Sequence, residues 1–449
     1  MAGPYWNEEL ETQPWPEIGR WQAAQIEAAL PAVRARSAMV ARLHAGVRAD
    51  LPVRDLADLA ALPFTMKDDV RAAQEAATDA HPFGLNQAAP TADIVQLLCS
   101  SGTTGRPLYY ALTQRDVERC TDAIAHSFFT AGMRREDVVA HLVGLPMVAG
   151  GLPYADAFRR IGTTLAWLGG FPTERILREM RALRCTALLA TTSFSLHLAA
   201  QWEALGRETG LPSRLAKVFG GGEPGMGQAE IRTRIAQGLG IGHVRDAMGL
   251  GDVIPSMWSE CEVQDGMHYN AQRYAAIELI DPDSGDVLPW CEGATGEIVY
   301  TDFARDATPM WRYRSRDHAL VVATGCACGR TSPRIRCIGR TDDMLIYKGM
   351  NVFPTALRDL IASSFGSSVE PLLRVWKEAR EQVRFDAPIP VDVEAAPGFA
   401  MDGADALRER IEAEVRSRLQ VRIAVSVLPP GSLPRSVYKN SLIAVRGTN

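Results

Sequence analysis

Three patterns in the sequence predict an α/β protein with a large layered N-terminal lobe, a β-rich subdomain and a small C-terminal α+β lobe. Between residues 113 and 204 short apolar runs alternate with stretches of helical spacing, the signature of a layered fold with a substantially parallel sheet. From Ile277 onward the period shifts to two, with turn clusters such as Asp281-Pro282-Asp283-Ser284-Gly285 between the runs. The last hundred or so residues return to a helix–strand–strand–helix–strand order.

The elements follow in order. Residues 16 to 47 read as two helices broken at Pro31, with Ile18, Trp21, Val33, Val40 and Leu43 on one stripe. A short helix is expected over 55–62, and Pro63 and Pro82 punctuate a connection. Ile94 to Leu98 reads as a buried strand ending in a polar loop, and Tyr109 to Leu112 as a second strand. A helix over 113–131 precedes strands over 138–145 and 164–168 and helices over 172–183 and 194–204. Ligands in such sheets bind beyond the carboxyl ends of the strands, where the loop after Leu98 and the turn at Phe219 are expected. Near the C-terminus Leu407, Ile411, Val415 and Leu419 repeat every fourth residue, and Val421, Ile423, Val425 and Val427 alternate. The boundary is placed at residue 340, giving domains 1–340 and 341–449.

At 449 residues the chain exceeds one ordinary core. A net charge of −5 argues against a nucleic-acid partner. No apolar run approaches the roughly 18 residues of a membrane span, and the opening residues lack a signal-peptide pattern, so a cytoplasmic address is expected. Eight cysteines in such a chain are expected to be thiols or metal ligands.

The stretch Cys99-Ser100-Ser101-Gly102-Thr103-Thr104-Gly105-Arg106-Pro107 carries the strongest chemistry. Glycines let backbone N–H groups approach phosphate oxygens, hydroxyls add donors, and Arg106 adds charge-assisted bonds. It lacks the Gly-Lys-Ser/Thr ending of a Walker loop. Taken alone it is equally well a polar turn. The motif resembles the phosphate loop of adenylate-forming enzymes, a superfamily of acyl- and aryl-CoA ligases, carrier-protein adenylation domains and luciferases. Tyr5-Trp6-Asn7-Glu8-Glu9, the Leu62-Pro63-Phe64-Thr65-Met66-Lys67-Asp68-Asp69 segment and most of 218–355 resemble its phenylacetate-CoA ligase branch.

That resemblance implies ATP, Mg²⁺ and CoA as cofactors, a small-molecule carboxylic acid as substrate, and a small lobe that swivels between two half-reactions. A homodimer is compatible with it. The turn Gly221-Gly222-Glu223-Pro224 takes the place of the adenine-side motif, though without the resemblance a β-turn is the simpler reading. Asp246-Ala247-Met248-Gly249-Leu250-Gly251-Asp252 stands where the family has an aromatic-Gly-x-Thr/Ser-Glu motif. Met248 replaces an adenine-stacking ring, and Asp252 is the Mg²⁺ ligand, one methylene shorter than the usual Glu. Arg312-Tyr313-Arg314-Ser315-Arg316-Asp317 matches the motif whose Asp317 accepts the ribose hydroxyls. In Gly339-Arg340-Thr341-Asp342-Asp343 the resemblance makes Arg340 a nucleotide contact and Asp342 the hinge. Lys439 takes the place of the catalytic lysine, preceded by Tyr438 where the family usually has glycine.

Cys261, His268, Cys326 and Cys328 form a second constellation, sufficient for a closed Cys3His structural zinc site or, alternatively, ordinary core thiols and a histidine. Some members of the branch carry this pattern, which favours zinc as a staple. The acyl pocket is expected at Val143, Leu145, Val148, Gly150 and Gly221, where three rings of the family's segment have become aliphatic at 143, 145 and 148. The extra room suggests an aryl or arylacetic acid bulkier than phenylacetate. The expected activity is therefore an AMP-forming acid–thiol ligase, an aryl-CoA ligase. The alternatives are transfer to a carrier-protein thiol and a zinc-stapled interaction protein without catalysis.

Overall fold

Strand Val138–His141 is the centre from which the large lobe winds outward. It lies in a five-stranded parallel sheet in the spatial order Thr164–Trp167, Val138–His141, Ala187–Ala190, Lys217–Gly220, His243–Arg245. The computed structural model describes residues 3–99, 107–143, 147–209, 212–223, 225–341, 343–348, 350–379, 382–434 and 442–446. Helices Leu152–Ile161, Thr173–Ala182, Thr192–Thr209 and Ala229–Leu239 make the crossovers. Ala187–Ala190 is buried at every position, as a strand covered on both faces must be. The chain passes from Val138–His141 to a strand on one side and then to its other neighbour. This reversal places a ligand crevice beyond the carboxyl ends of Val138–His141 and Ala187–Ala190.

The phosphate-loop motif does not leave a strand of that sheet. Ile94–Cys99 and Tyr109–Thr113 form a separate antiparallel pair, with Cys99 opposite Tyr109, and the motif connects them. The hairpin is nevertheless docked on the crevice. The Cys99 N–H donates to the Met147 carbonyl at 2.8 Å, and Cys99 bridges to Val148.

The antiparallel part begins earlier than the sequence suggested, at Ala247. Its eight strands run in the order Val287–Leu288, Ala275–Ile280, Thr295–Asp302, Tyr313–Ala323, Arg334–Arg340, Met267–Tyr269, Ile254–Glu260, Ala247–Leu250. Buried Trp258, Tyr269, Tyr300 and Trp311 pack its inner face.

The N-terminal segment corrects the expected break at Pro31. Helix Trp15–Arg36 runs through Pro31, and the interruption falls at Ser37, whose hydroxyl accepts from Val40 N to cap Ala38–Leu43. Pro31 costs one backbone hydrogen bond. Ile18, Ala23, Ile26, Leu30 and Val33, all buried, hold the helix together across that loss.

From Leu345 the chain builds a second apolar cluster that includes Leu357, Ile361, Val375, Val391 and Ile411. Its four-stranded sheet orders Ile423–Leu428, Ile389–Ala395, Val369–Lys377 and Ile443–Val445, flanked by helices Pro354–Phe365 and Ala404–Leu419. The expected helix–strand–strand–helix–strand order is present, and Ile443–Val445 adds a strand the sequence reading missed. The seam with the large lobe includes an Arg234–Glu370 ion pair at 2.8 Å and the Phe353 ring 5.1 Å from His318. Among the described residues no helix is long and apolar enough to cross a membrane.

Candidate functional site

Of the described residues singled out in the sequence, Val143, Val148, Gly150, Gly221, Gly222 and Glu223 gather at the carboxyl edge of the parallel sheet. Gly221, Gly222 and Glu223 follow strand Lys217–Gly220, and Gly222 takes a φ of +81° that glycine adopts freely. The Glu223 carboxylate accepts from the Ser193 backbone N–H at 2.9 Å and its hydroxyl at 3.1 Å, and the Thr192 hydroxyl donates to the Glu223 carbonyl. Glu223 therefore caps the preceding crossover helix, Thr192–Thr209, and fixes the turn. Val143 and Gly150 lie together, since a Cβ on Gly150 would stand 3.8 Å from Val143 Cγ1; Val148 is buried beside the hairpin.

The second wall comes from the antiparallel sheet. Met248 sits half-buried opposite Trp258 on its edge strand. Gly249 has no room for a side chain, because a Cβ would stand 2.1 Å from the Pro255 carbonyl oxygen. Asp246 turns its carboxylate to the Gly227 N–H at 3.0 Å, beside Glu260, which is held by Arg232 at 2.6 Å. Burial first, and the Glu260 charge second, push Asp246 up to about 7.

Asp252 is 2% exposed and accepts the Tyr313 hydroxyl at 2.6 Å, with the half-exposed Lys67 ammonium 3.5 Å from the same oxygen. Burial first and Asp252 second hold the Tyr313 phenol far above its ordinary value, so it remains a donor. Four residues along that strand, Asp317 pairs with Arg340 at 3.2 Å across the neighbouring strand. The other arginines of that motif are structural. Arg312 makes a two-pronged bond to Glu278 and Arg314 one to Glu297. Ser100, Ser101, Gly102, Thr103, Thr104, Gly105, Arg106, Leu145, Pro224, Asp342 and Lys439 lie outside the described residues. The Lys439 stretch is flanked by anchored backbone on both sides. Gly431 and Leu433 N–H groups donate to Glu394, and Ile443 pairs with Val375.

On the far side of the antiparallel sheet, the ligand atoms of Cys261, His268, Cys326 and Cys328 lie within 4.8 Å of one another. Cys261 Sγ is 3.7 Å from Cys326 Sγ, and Cys328 Sγ is 3.5 Å from His268 Nε2. A tetrahedral zinc would separate two thiolates by about 3.8 Å and a thiolate from an imidazole by about 3.5 Å, so the cluster has the dimensions of such a site. His268 Nδ1 meets the Ser332 hydroxyl at 3.4 Å, the outer partner a ligating imidazole needs. The Cys261 thiol first, and His268 after it, pull the Cys328 thiol down. The N-terminus is tied to the same loop: Tyr5 donates to the Cys328 carbonyl, and Arg330 pairs with Glu11 at 2.7 Å.

Sequence reasoning missed three residues here. Lys67 and Tyr313 stood inside motifs that resemble the family but gave no sign of converging on Asp252. Tyr154, buried on helix Leu152–Ile161, is within 4 Å of the Cβ positions of both Gly150 and Gly221. Its place three residues after Gly151, pointing inward on the helix, was the available signal.

Comparison with known proteins bears on this arrangement. The AMP-binding enzyme family matches residues 18–302, and the AMP-binding enzyme C-terminal domain matches 349–444. The phenylacetate-coenzyme A ligase of Thermus thermophilus is 31% identical, covering 95% of this chain and 96% of its own. That of Pseudomonas putida is 36% identical over 68% of this chain and 66% of its own. Among solved structures, 2-hydroxyisobutyryl-CoA ligase in the postadenylation state with 2-HIB-AMP superposes with a TM-score of 0.87 at 25% identity, covering 99% of this chain and 93% of its own. In its thioesterification state the same ligase superposes with a TM-score of 0.69. An antiparallel hairpin docked on a parallel-sheet crevice, the paired Asp317 and Arg340, and these matches lead to one conclusion: the chain belongs to the AMP-binding enzyme family, as an adenylate-forming acid–thiol ligase related to the phenylacetate-CoA ligases.

Proposed function

We propose that the protein joins a carboxylic acid to CoA in two steps at the carboxyl edge of the parallel sheet. A carboxylate oxygen of the acid attacks the α-phosphorus of ATP and pyrophosphate leaves. The CoA sulfur then attacks the acyl carbon and AMP leaves. The observation that carries this reading is the convergence of the hairpin Ile94–Cys99/Tyr109–Thr113, the Gly221–Gly222 turn and Asp252 on one crevice.

In this reading residues 100–106 hold the phosphates, Asp317 takes the ribose hydroxyls and Arg340 a phosphate or ribose oxygen. Gly222, Gly249 and Met248 border the base. Asp252 fits Mg²⁺. It is a buried hard-oxygen donor oriented by a hydroxyl, and its other partner, Lys67, is exposed enough to give way. The ion would neutralise phosphate charge. Lys439 brings its ammonium to the attacking carboxylate and leaving pyrophosphate, and Asp342 turns the small lobe, residues 341–449, between the steps. Zinc in the Cys261, His268, Cys326, Cys328 cluster serves as a staple. The acid lies against Val143, Val148, Gly150 and Gly221. Relatives are named for phenylacetate and for 2-hydroxyisobutyrate, acids of very different width. The bulkier aryl acid suggested by aliphatic residues at 143, 145 and 148 must be weighed against the Tyr154 ring in the same wall.

Pyrophosphate release dependent on both ATP and an added acid tests the reading, with thioester detected only when CoA is present. Thioester formation on a carrier protein but not on CoA would transfer the second step to the alternative acceptor. Lys439→Ala is expected to abolish adenylation and spare thioester formation from a supplied acyl-adenylate. Equal loss of both would remove Lys439 from its role.

A further inference from the structure

Resting on the ligase reading, we propose that Tyr154 is a specificity-determining residue that limits the width of the acid seated against Gly150 and Gly221, favouring compact acids over ring acids. The Tyr154 ring is the shared neighbour of the acyl-wall glycines. A Cβ on Gly150 would meet its Cε2 at 3.7 Å, and one on Gly221 would meet its hydroxyl at 3.8 Å and Cε2 at 3.9 Å.

The ring is fixed in that position. Its hydroxyl donates to the Pro255 carbonyl at 2.8 Å, on the strand that follows Asp252. Its edge packs on Phe128 with centroids 5.1 Å apart, and His141 lies 6.4 Å away on the other side. His141 stacks on Trp167 at 5.0 Å, and the Trp167 indole N–H donates to the Val143 carbonyl. The wall is thus one connected set of rings and backbone bonds from Trp167 through His141 and Tyr154 to Pro255. Moving the ring to seat an aromatic acid breaks the Pro255 bond and disturbs the Phe128 contact. Forcing a close-packed wall in this way is unfavourable. Tyr154 therefore sets a fixed ring against the wall formed by Gly150 and Gly221.

The test compares kcat/KM for pyrophosphate release with isobutyrate, isovalerate, phenylacetate and naphthylacetate. Wild type is expected to favour isobutyrate or isovalerate over both ring acids by about tenfold or more, a difference pockets of this kind achieve. Tyr154→Ala should reverse the order, mainly through KM of the ring acids, whereas Tyr154→Phe, which keeps the ring, should retain it. Gly221→Ala, whose added methyl sits at ordinary contact distance, provides a second probe that does not disturb the core. It should depress phenylacetate more than isobutyrate. Wild-type preference for either ring acid overturns the proposal, as does a uniform loss across all four acids in both Tyr154→Ala and Gly221→Ala. Absence of pyrophosphate release with every acid is a different result and would overturn the ligase reading itself.

Discussion

The Cys/His knot and the crevice at the parallel sheet both concentrate reactive side chains, and they hold them in opposite ways. In the knot, four ligand atoms face one another inside 4.8 Å, and the surrounding bonds run to backbone and to the N-terminal segment. In the crevice, the carboxylates proposed to meet the metal and the ribose are paired with cations still partly in water. Lys67 meets Asp252 at 3.5 Å, and Arg340 meets Asp317 at 3.2 Å with a third of its side chain exposed. Each pair joins a buried carboxylate to a cation that keeps contact with water, so exchanging that cation for another partner does not strand the cation in the interior. A closed set of ligands is suited to a permanent occupant, and a set closed by yielding cations is suited to one that turns over.

The sharpest way to break this comparison is to remove an occupant of the knot. Purified protein is expected to carry about one zinc per chain, as four ligands at this spacing hold one ion. Cys328→Ser should release the metal and lower the melting temperature by more than about 5 °C, since loss of a structural metal is a large-effect lesion. Metal content and thermal unfolding measured on the same samples decide it. A metal-free wild type that melts where the holoprotein does would reduce the knot to core thiols.

The crevice should respond in activity instead. Asp317→Asn removes a charged acceptor expected to bind the ribose, worth about 1.5–3 kcal/mol or a loss of roughly 10- to 150-fold in kcat/KM for ATP. The melting temperature should move by less than about 2 °C, because the ion pair that it breaks is exposed on the Arg340 side. Unfolding comparable to that of the Cys328 variant would mean that the two regions are not built differently.

These contrasts follow the extent to which each region could be read from the sequence. The knot was legible because its ligand types are rare and their clusters short: Cys261 to His268 is one β-hairpin and Cys326 to Cys328 one turn. The parallel sheet was legible through runs such as Ala187–Ala190 that bury every residue. The Pro31 helix was misread because a local rule about proline was applied without the tertiary packing of Ile26, Leu30 and Val33 that overrides it. The antiparallel pairing of Ile94–Cys99 was invisible because a short apolar run gives no pairing partner. Lys67 and Tyr313 became visible only with coordinates, since each acts through a neighbour 185 or 61 positions away.

The smallest expected effect lies between the two regions. Asp246 immediately precedes strand Ala247–Leu250, and Glu260, beside it, immediately precedes Cys261 of the knot. Asp246 is pushed up to about 7, by burial first and Glu260 second, above its ordinary value of 3.8. A folded-state value above the unfolded one means that between those limits the folded protein retains a proton the unfolded chain has released. Stability from this group is therefore greatest at the acid end and falls as pH rises through about 7, opposite to a salt-bridged carboxylate. Asp246→Asn, which keeps the acceptor for the Gly227 N–H and cannot ionise, should flatten the decline in melting temperature between pH 5 and 8. An unchanged pH profile in that variant would show that Asp246 ionises normally and that the crevice strand and the knot are not coupled through this carboxylate pair.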